Sequence, residues 1–313
     1  MSFSGDIKEE LTGKIDGSRH CRVAELASII EANGIYSVRE NGRLFLVLQS
    51  ENPYVMRKAF ALIKKTFHTS PEVSVLGGGS WSSSRVYTLC VRNWERVRNI
   101  LLETHYLQQN GAIRDLDIPA SKQVTLKDCC KRAYVRGAFL SGGSVSDPRK
   151  SYHFEINCGS LPKAEHIRNV IGDFGIEAKI IERKRHFVVY VKDGESITDL
   201  LNLMGATTAL MNMENIRILR DISGNVNRQV NCETANLNKT VNAGLEQTGW
   251  IRKIEAGPGL KSLKKGLRDV ALARLEYPDM GIEELGRLFT PPLSKSCVYH
   301  RLQKIREISE SEN

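Results

Sequence analysis

The sequence predicts an α+β protein: a duplicated αββαββα domain followed by an all-α helix-turn-helix domain. Three observations carry that expectation. A run of helix, two strands, helix, two strands and helix appears twice, with Gly34 and Gly143, 109 residues apart, closing corresponding helices. A proline-broken pair of short amphipathic helices ends the chain. Between them lies a helical stretch crowded with asparagine. At 313 residues the chain exceeds the usual size of one core, and 41% hydrophobic with 26% charged residues is ordinary globular composition.

The first copy opens with AELASIIEANG, helix-like and ended by glycine. GIYSVRENGRLFLVLQSE then alternates like a hairpin turning at Asn41-Gly42. NPYVMRKAFALIKKTF has the apolar spacing of an amphipathic helix, PEVSVL and SRVYTLCVR alternate as strands, and NWERVRNILLETHYL closes the unit. The second copy repeats this order: RAYVRGAFLSGG, GSVSD, SYHFEINCGS, LPKAEHIRNVIGDFG, IEAKIIERK, HFVVYVKDG and ESITDLLNLMGA. The expected boundaries are residues 1–220 for the duplicated domain, with halves at about 20–110 and 128–215. Two such halves can pair about a pseudo-twofold axis, their sheets forming a saddle and their first helices packed centrally. Close approach of those helices needs small residues, and Gly137, Ala138, Ser141, Gly142 and Gly143 supply them.

This duplicated pattern resembles the LAGLIDADG homing endonuclease fold. The resemblance implies a DNA-cleaving site in which the last acidic residue of each central helix holds a divalent metal. Aligned on the closing glycines, Asn33 and Gly142 stand where those acids belong, and neither an amide nor a hydrogen replaces a carboxylate as a metal ligand. No catalytic residue and no metal are therefore expected. Glu31 and Asp147 are the nearby carboxylates that a displaced site would have to use.

After Met211 the pattern turns helical, with eight asparagines from Asn212 to Asn242 and Arg217, Arg220, Arg228 and Lys239 among them. Residues 221–260 are expected to form a helical linker. Either this is a plain bridging helix, or Asn227, Arg228, Asn231 and Asn238 in it touch DNA phosphates or dock the two domains together.

Residues 261–313 are expected to bind DNA. Ile282 to Phe289 makes a short helix with Ile282, Leu285, Leu288 and Phe289 on one face. Thr290-Pro291-Pro292-Leu293 breaks it, and Ser294 caps the next helix. In that helix Val298, Leu302 and Ile305 face inward. Lys295, Ser296, Tyr299, His300, Gln303 and Arg306 then point largely outward, flanked by Arg301 and Lys304. Glutamine pairs with adenine, arginine with guanine, and Lys295 and Ser296 at a helix N-terminus suit phosphate. Upstream, KSLKKGLRDVALARLEY reads as a support helix with Lys261, Lys264 and Lys265 along a phosphate-facing edge.

The net charge of +9 favours a polyanionic partner. From Asn231 onward 13 Lys+Arg face 11 Asp+Glu, so the signal lies in Lys261–Arg268 and Ser294–Arg306, each with four cations and no acid. Seven cysteines show neither CxxC spacing nor pairing with nearby histidines, so buried free thiols, without metal, disulfide or cofactor, are expected. The opening residues lack an apolar leader and no stretch approaches the roughly 20 apolar residues of a membrane span. The expectation is a cytoplasmic, nucleoid-associated protein.

CCKRAYVRGAFLSGGSVSDPRKSYHFEI, VNCETANLNKTV and LSKSCVYHRLQKI resemble the WhiA family, over essentially the whole chain. That resemblance implies a degenerate LAGLIDADG domain joined to a helix-turn-helix similar to region 4 of sigma factors. It also implies binding to double-stranded DNA, transcriptional control, and roles in cell division and chromosome segregation. In actinobacterial members it implies sporulation control with a WhiB-type iron-sulfur partner. Cys297 and Tyr299 replace the small or amide residues that relatives lead one to expect, so no target sequence is carried over. Two rival functions stay open: an active homing endonuclease or maturase, and a division scaffold whose saddle binds protein.

Overall fold

The computed structural model describes residues 2–38, 44–77, 85–108, 111–116, 118–119, 122–184 and 186–311. The turn expected at Asn41-Gly42 lies outside them. The chain divides into two compact units, Met1–Leu219 and Arg220–Asn313.

The first unit begins with a helix that the sequence pattern does not announce, Phe3–Gly13 (α1). Ser2 Oγ caps it by accepting from Gly5 N (3.2 Å), and Ile7 and Leu11, one turn apart, are fully buried. The first copy follows: α2 (Arg19–Asn33), β1 (Gly34–Val38), β2 (Leu44–Ser50), α3 (Pro53–Phe67), β3 (Glu72–Leu76), β4 (Val86–Val91) and α4 (Trp94–Glu103). The second comprises α5 (Asp128–Gly142), β5 (Gly143–Val145), β6 (Phe154–Cys158), α6 (Leu161–Gly172), β7 (Lys179–Arg183), β8 (His186–Val191) and α7 (Gly194–Met204). The αββαββα order is thus present twice. The sheets are antiparallel with matching strand orders, β1-β2-β4-β3 and β5-β6-β8-β7.

Local chemistry sets these boundaries. Asn52, Asn93 and Asp193 cap α3, α4 and α7, their side-chain oxygens accepting from Tyr54, Arg96 and Ser196 N at 2.9, 3.1 and 2.8 Å. Gly205, at φ 81°, ends α7 in the left-handed region. Along β6 the two-residue period buries Phe154, Ile156 and Cys158 and turns Glu155 and Asn157 to the other face.

The two central helices define the domain. In α2 every residue from Cys21 to Glu31 is buried, and in α5 every residue from Ala133 to Leu140. A helix buried all round lies inside a core, and these two pack on each other. A Cβ on Gly137 would sit 2.6 Å from the Glu25 carbonyl oxygen, so the approach requires glycine. The expectation that Gly142 and Gly143 serve the same approach is corrected. A Cβ at 142 would meet the Asn157 carbonyl oxygen of β6 at 2.7 Å, and one at 143 would meet Phe139 of its own helix.

At the same crossing a carboxylate is buried. Glu25 accepts from Arg136 through two nitrogens (2.8 and 3.0 Å) and pairs with Lys58 (3.0 Å). Lys58 also donates to the Leu11 carbonyl (2.9 Å), and Arg136 pairs with Asp16 and donates to the Met204 carbonyl (3.2 Å). Burial pushes the Lys58 ammonium below its usual value, with Glu25 pulling the other way.

Helix α8 (Thr207–Ala256) starts in the first unit, where Glu10 accepts from the backbone N–H groups of Thr208 and Ala209 (2.8 and 3.1 Å). The second unit adds α9 (Lys265–Glu276), α10 (Ile282–Arg287) and α11 (Lys295–Ser311). Its core joins Ile251 and Ile254 of α8 to Leu263, Val270, Ala271, Leu285, Val298, Leu302 and Ile305. Leu288, expected on the apolar face of α10, is exposed: regular helix stops at Arg287, and the residue turns outward.

Gly137→Ala is expected to destabilise the first unit by about 1–3 kcal/mol through overpacking. Gly13→Ala, where nothing lies within 4 Å of the added Cβ, leaves stability unchanged or raised. Urea unfolding midpoints of the two variants check the pair.

Candidate nucleic-acid interface

The ends of α2 and α5, where a nuclease of this fold would hold metal, carry hydrogen-bond donors. Asn33 Nδ2 donates to Ser141 Oγ (2.9 Å) and to the Ile29 carbonyl (3.1 Å). Asn52 and Asn157 donate side-chain N–H to the carbonyls of Leu140 (3.2 Å) and Gly142 (3.3 Å), and Lys163 Nζ reaches the Glu31 carbonyl at 3.2 Å. Neutral amides and an ammonium thus occupy the last turns. A hard divalent cation needs oxygen acceptors there.

Neither nearby acid is placed to compensate. Glu31 is buried and accepts from the phenols of Tyr134 (2.7 Å) and Tyr106 (3.2 Å). Burial and then the Glu31 charge push the Tyr134 phenol well above its ordinary value, which keeps it a donor. Asp147 accepts from Arg149 N (2.9 Å) in the loop after β5.

In the second unit, the short α10 and the 17-residue α11 are joined by residues 288–294, and α11 packs on the support helix α9. Ser294 caps α11, its Oγ accepting from Cys297 N (3.3 Å) and its carbonyl from Val298 N (3.1 Å). Two residues outside the expected site hold the connections of this unit, Gly286 between α10 and α11 and Arg274 between α9 and α10. A Cβ on Gly286 would lie 2.4 Å from the Leu293 carbonyl oxygen, and Leu293 N donates to the Gly286 carbonyl (2.9 Å). Arg274 is buried and donates to the carbonyls of Tyr277 (3.1 Å), Pro278 (3.3 Å) and Met280 (2.6 Å), fixing the path from α9 to α10. A glycine inside a helical pattern is a visible signal for the first. An arginine on a basic helix gives none for the second.

Val298, Leu302, Ile305 and Ser309 form the buried face of α11. At 100° per residue the opposite side is centred on Ser296, His300 and Gln303, with Lys304 and Glu307 beyond them. Lys295, Ser296, Tyr299 and His300 are exposed and Gln303 is half-buried. The cations lie differently. Arg301 is half-buried, with one guanidinium nitrogen donating to the Gly266 carbonyl of α9 (3.2 Å). Arg306 pairs with Glu310 (2.7 Å) and lies over the Trp250 ring, and Lys304 pairs with Glu307 (2.7 Å). The second half of α11 is therefore charge-balanced, and the first half is not. Lys261, Lys264 and Lys265 are exposed around the α9 N-terminus, which has no side-chain cap. Asn227, Arg228, Asn231 and Asn238 are exposed on α8.

The expectation of buried thiols holds for Cys21, Cys130 and Cys158 only; Cys129 and Cys232 are exposed, and Cys90 and Cys297 lie between. The expectation that no histidine pairs with a cysteine is corrected: His20 precedes Cys21 in the chain and also meets a cysteine 110 residues away. His20 stands beside cysteines of both halves.

Family models match three stretches: the WhiA N-terminal LAGLIDADG-like domain at 19–107, the WhiA LAGLIDADG-like domain at 131–223, and the WhiA C-terminal HTH domain at 226–309. The chain is 42% identical over 311 residues to a protein of Lachnoclostridium phytofermentans named probable cell division protein WhiA, covering 99% of each. A protein of the same name from Thermoanaerobacter pseudethanolicus is 41% identical over 310 residues, 99% of this chain and 98% of that one. The crystal structure of full-length WhiA from Thermotoga maritima superposes with a TM-score of 0.58 at 28% identity, covering 99% of both chains. Among the described residues no helix is long and apolar enough to cross a membrane.

Gly286→Ala is expected to cost the second unit about 1–3 kcal/mol by forcing the α10–α11 turn apart. Thermal unfolding followed by Trp250 fluorescence checks it, since Trp250 packs on that unit's core.

Proposed function

The chain belongs to the WhiA family, and on that premise we propose that it is a non-catalytic, sequence-specific DNA-binding regulator acting in cell division. One observation carries the reading. The capped α11 presents Ser296, His300 and Gln303 opposite its buried face, on the half of the helix whose cations are not cancelled by acids. A helix so presented fits a major groove, where Gln303 reads adenine and Ser296 accepts or donates to either partner. Lys295 and the α11 N-terminus hold one phosphate, and Lys261, Lys264 and Lys265 hold others from the support helix. Tyr299 packs beside the reading face. Arg301, tethered to α9, sets the depth of α11 in the groove; Lys304 and Arg306 touch the DNA backbone at its edge. Asn227, Arg228, Asn231 and Asn238 extend the phosphate binding along α8.

The absence of catalysis is supported by the donors at the ends of α2 and α5, which repel the cation that cleavage needs. The family implies transcriptional control, with effects on chromosome segregation, in the cytoplasm on the nucleoid. The relatives' names favour a division role over sporulation control with a WhiB-type partner. A second reading, a division scaffold, rests on β3, an edge strand whose Val73, Val75 and Leu76 are exposed.

Salt-dependent binding of genomic DNA fragments tests the proposal. Gln303→Ala is expected to lose preference at one base position, about 1–3 kcal/mol, with little change on unrelated DNA. A Lys264→Ala, Lys265→Ala double variant weakens all DNAs alike and flattens the salt slope by about 1 for each phosphate left unneutralised. Unchanged affinity and preference in both would transfer the function to the scaffold reading. Site-specific plasmid cleavage with Mg²⁺ would restore the nuclease.

A further inference from the structure

Away from the DNA-facing elements, the first turns of α2 and α5 bring together His20, Cys21, Cys129 and Cys130. Each pair fills the second and third positions of its helix, and the pairs are 109 residues apart, the spacing of the duplication itself. His20 Nδ1 lies 3.1 Å from Cys130 Sγ, 3.3 Å from Cys21 Sγ and 3.9 Å from Cys129 Sγ. All four donor atoms lie within 4.8 Å of one another.

Tetrahedral zinc, with Zn–S near 2.3 Å and Zn–N near 2.0–2.1 Å, sets sulfur and nitrogen about 3.6 Å apart and neighbouring sulfurs about 3.8 Å apart. The nitrogen–sulfur distances here bracket that value. The geometry points to a closed Cys₃His site for one zinc ion, which pins the N-terminal ends of the two central helices together.

The donor set selects the ion. Three thiols and an imidazole suit zinc, whereas magnesium and calcium take oxygen. Four donor atoms this close enclose one ion and leave no room for a cluster of several irons. All four positions are filled by protein, as in structural rather than catalytic zinc sites. Neither helix has a side-chain cap bond, so both N-termini keep their partial positive charge on the side of the molecule where the thiols lie. Entry is open, because His20 and Cys129 are exposed and His20 borders an open cavity lined also by Arg19, His105 and Gln123. Cys21 and Cys130 form the buried floor.

The site was hidden in the sequence because no two ligands of one half show metal-binding spacing. Only the duplication completes it. As a link between the halves, the ion raises the stability of the first unit by binding the folded state alone.

The test uses the full chain, purified under reductant, with Zn²⁺ and Co²⁺ as probes. Expected are one zinc per chain by elemental analysis, a cobalt form with thiolate-to-metal charge-transfer and intense tetrahedral d–d absorption, and a melting temperature lowered by chelator. Cys129→Ser, an exposed ligand whose loss spares the core, is expected to weaken Co²⁺ binding by more than the roughly 10–100-fold typical of outer-shell changes, and Cys232→Ser to leave it intact. His20→Ala is expected to match Cys129→Ser. The proposal is overturned if the reduced chain takes up no cobalt, if Cys129→Ser binds as the parent does, or if peptide mapping finds Cys21 in a disulfide with Cys129 or Cys130 and reduction brings no metal uptake.

Discussion

The architecture depends on one crossing, where α2 and α5 approach closely enough that Gly137 has no space for a Cβ against the Glu25 carbonyl. The Glu25 carboxylate beside it is buried with Arg136 and Lys58, each from a different helix. Taking such ions out of water costs several kcal/mol each, so a buried pair is poor evidence for net stability. Its effect is on alignment. Glu25 finds both cations, and Arg136 finds the Met204 carbonyl, only when the helices cross at this point. Any other docking of the halves would strand charges in the core. The sheets, strung from the C-terminal ends of these helices, inherit their placement from it.

The same pair of helices gives the first unit two chemically opposite ends. At the C-terminal end, where last-turn carbonyls collect partial negative charge, Asn33, Asn52, Asn157 and Lys163 supply donors and neutralise it. At the N-terminal end, thiols and an imidazole gather under the positive helix termini. Each end answers the macrodipole with side chains of opposite sense, and neither arrangement places a hard cation where a nuclease requires one.

Much of this was legible in the sequence, because most elements announce themselves by period and cap. Strands with a clean two-residue alternation and helices opened by Asn52, Asn93 and Asp193 lie where the pattern put them. Helix α1 escaped because its apolar stripe is only Phe3, Ile7 and Leu11 in a short polar segment, and tertiary burial makes the helix. Helix α11 was visible through Ser294 and the Val298, Leu302, Ile305 stripe. The engagement of its arginines was not: Arg301 meets a carbonyl 35 residues away in the chain, and Arg306 an indole 56 residues away. Pairings of that separation leave no periodic trace. The histidine–cysteine cluster, which joins residues 109 apart, was hidden for the same reason; Arg274 was hidden because its carbonyl partners, three to six residues on, are backbone groups that leave no residue-type signal.

Gly142 limits what a single substitution can add at the end of α5. A carboxylate there would need a Cβ 2.7 Å from the Asn157 carbonyl, in a strand that has settled against the bare helix end. Asn157 also closes over the gap, donating to the Gly142 carbonyl. An acid at that position therefore needs movement of β6 together with replacement of its asparagine. The joint between α5 and β6 thus locks in the bare helix end: a single substitution at 142 disturbs the strand before it can offer a ligand.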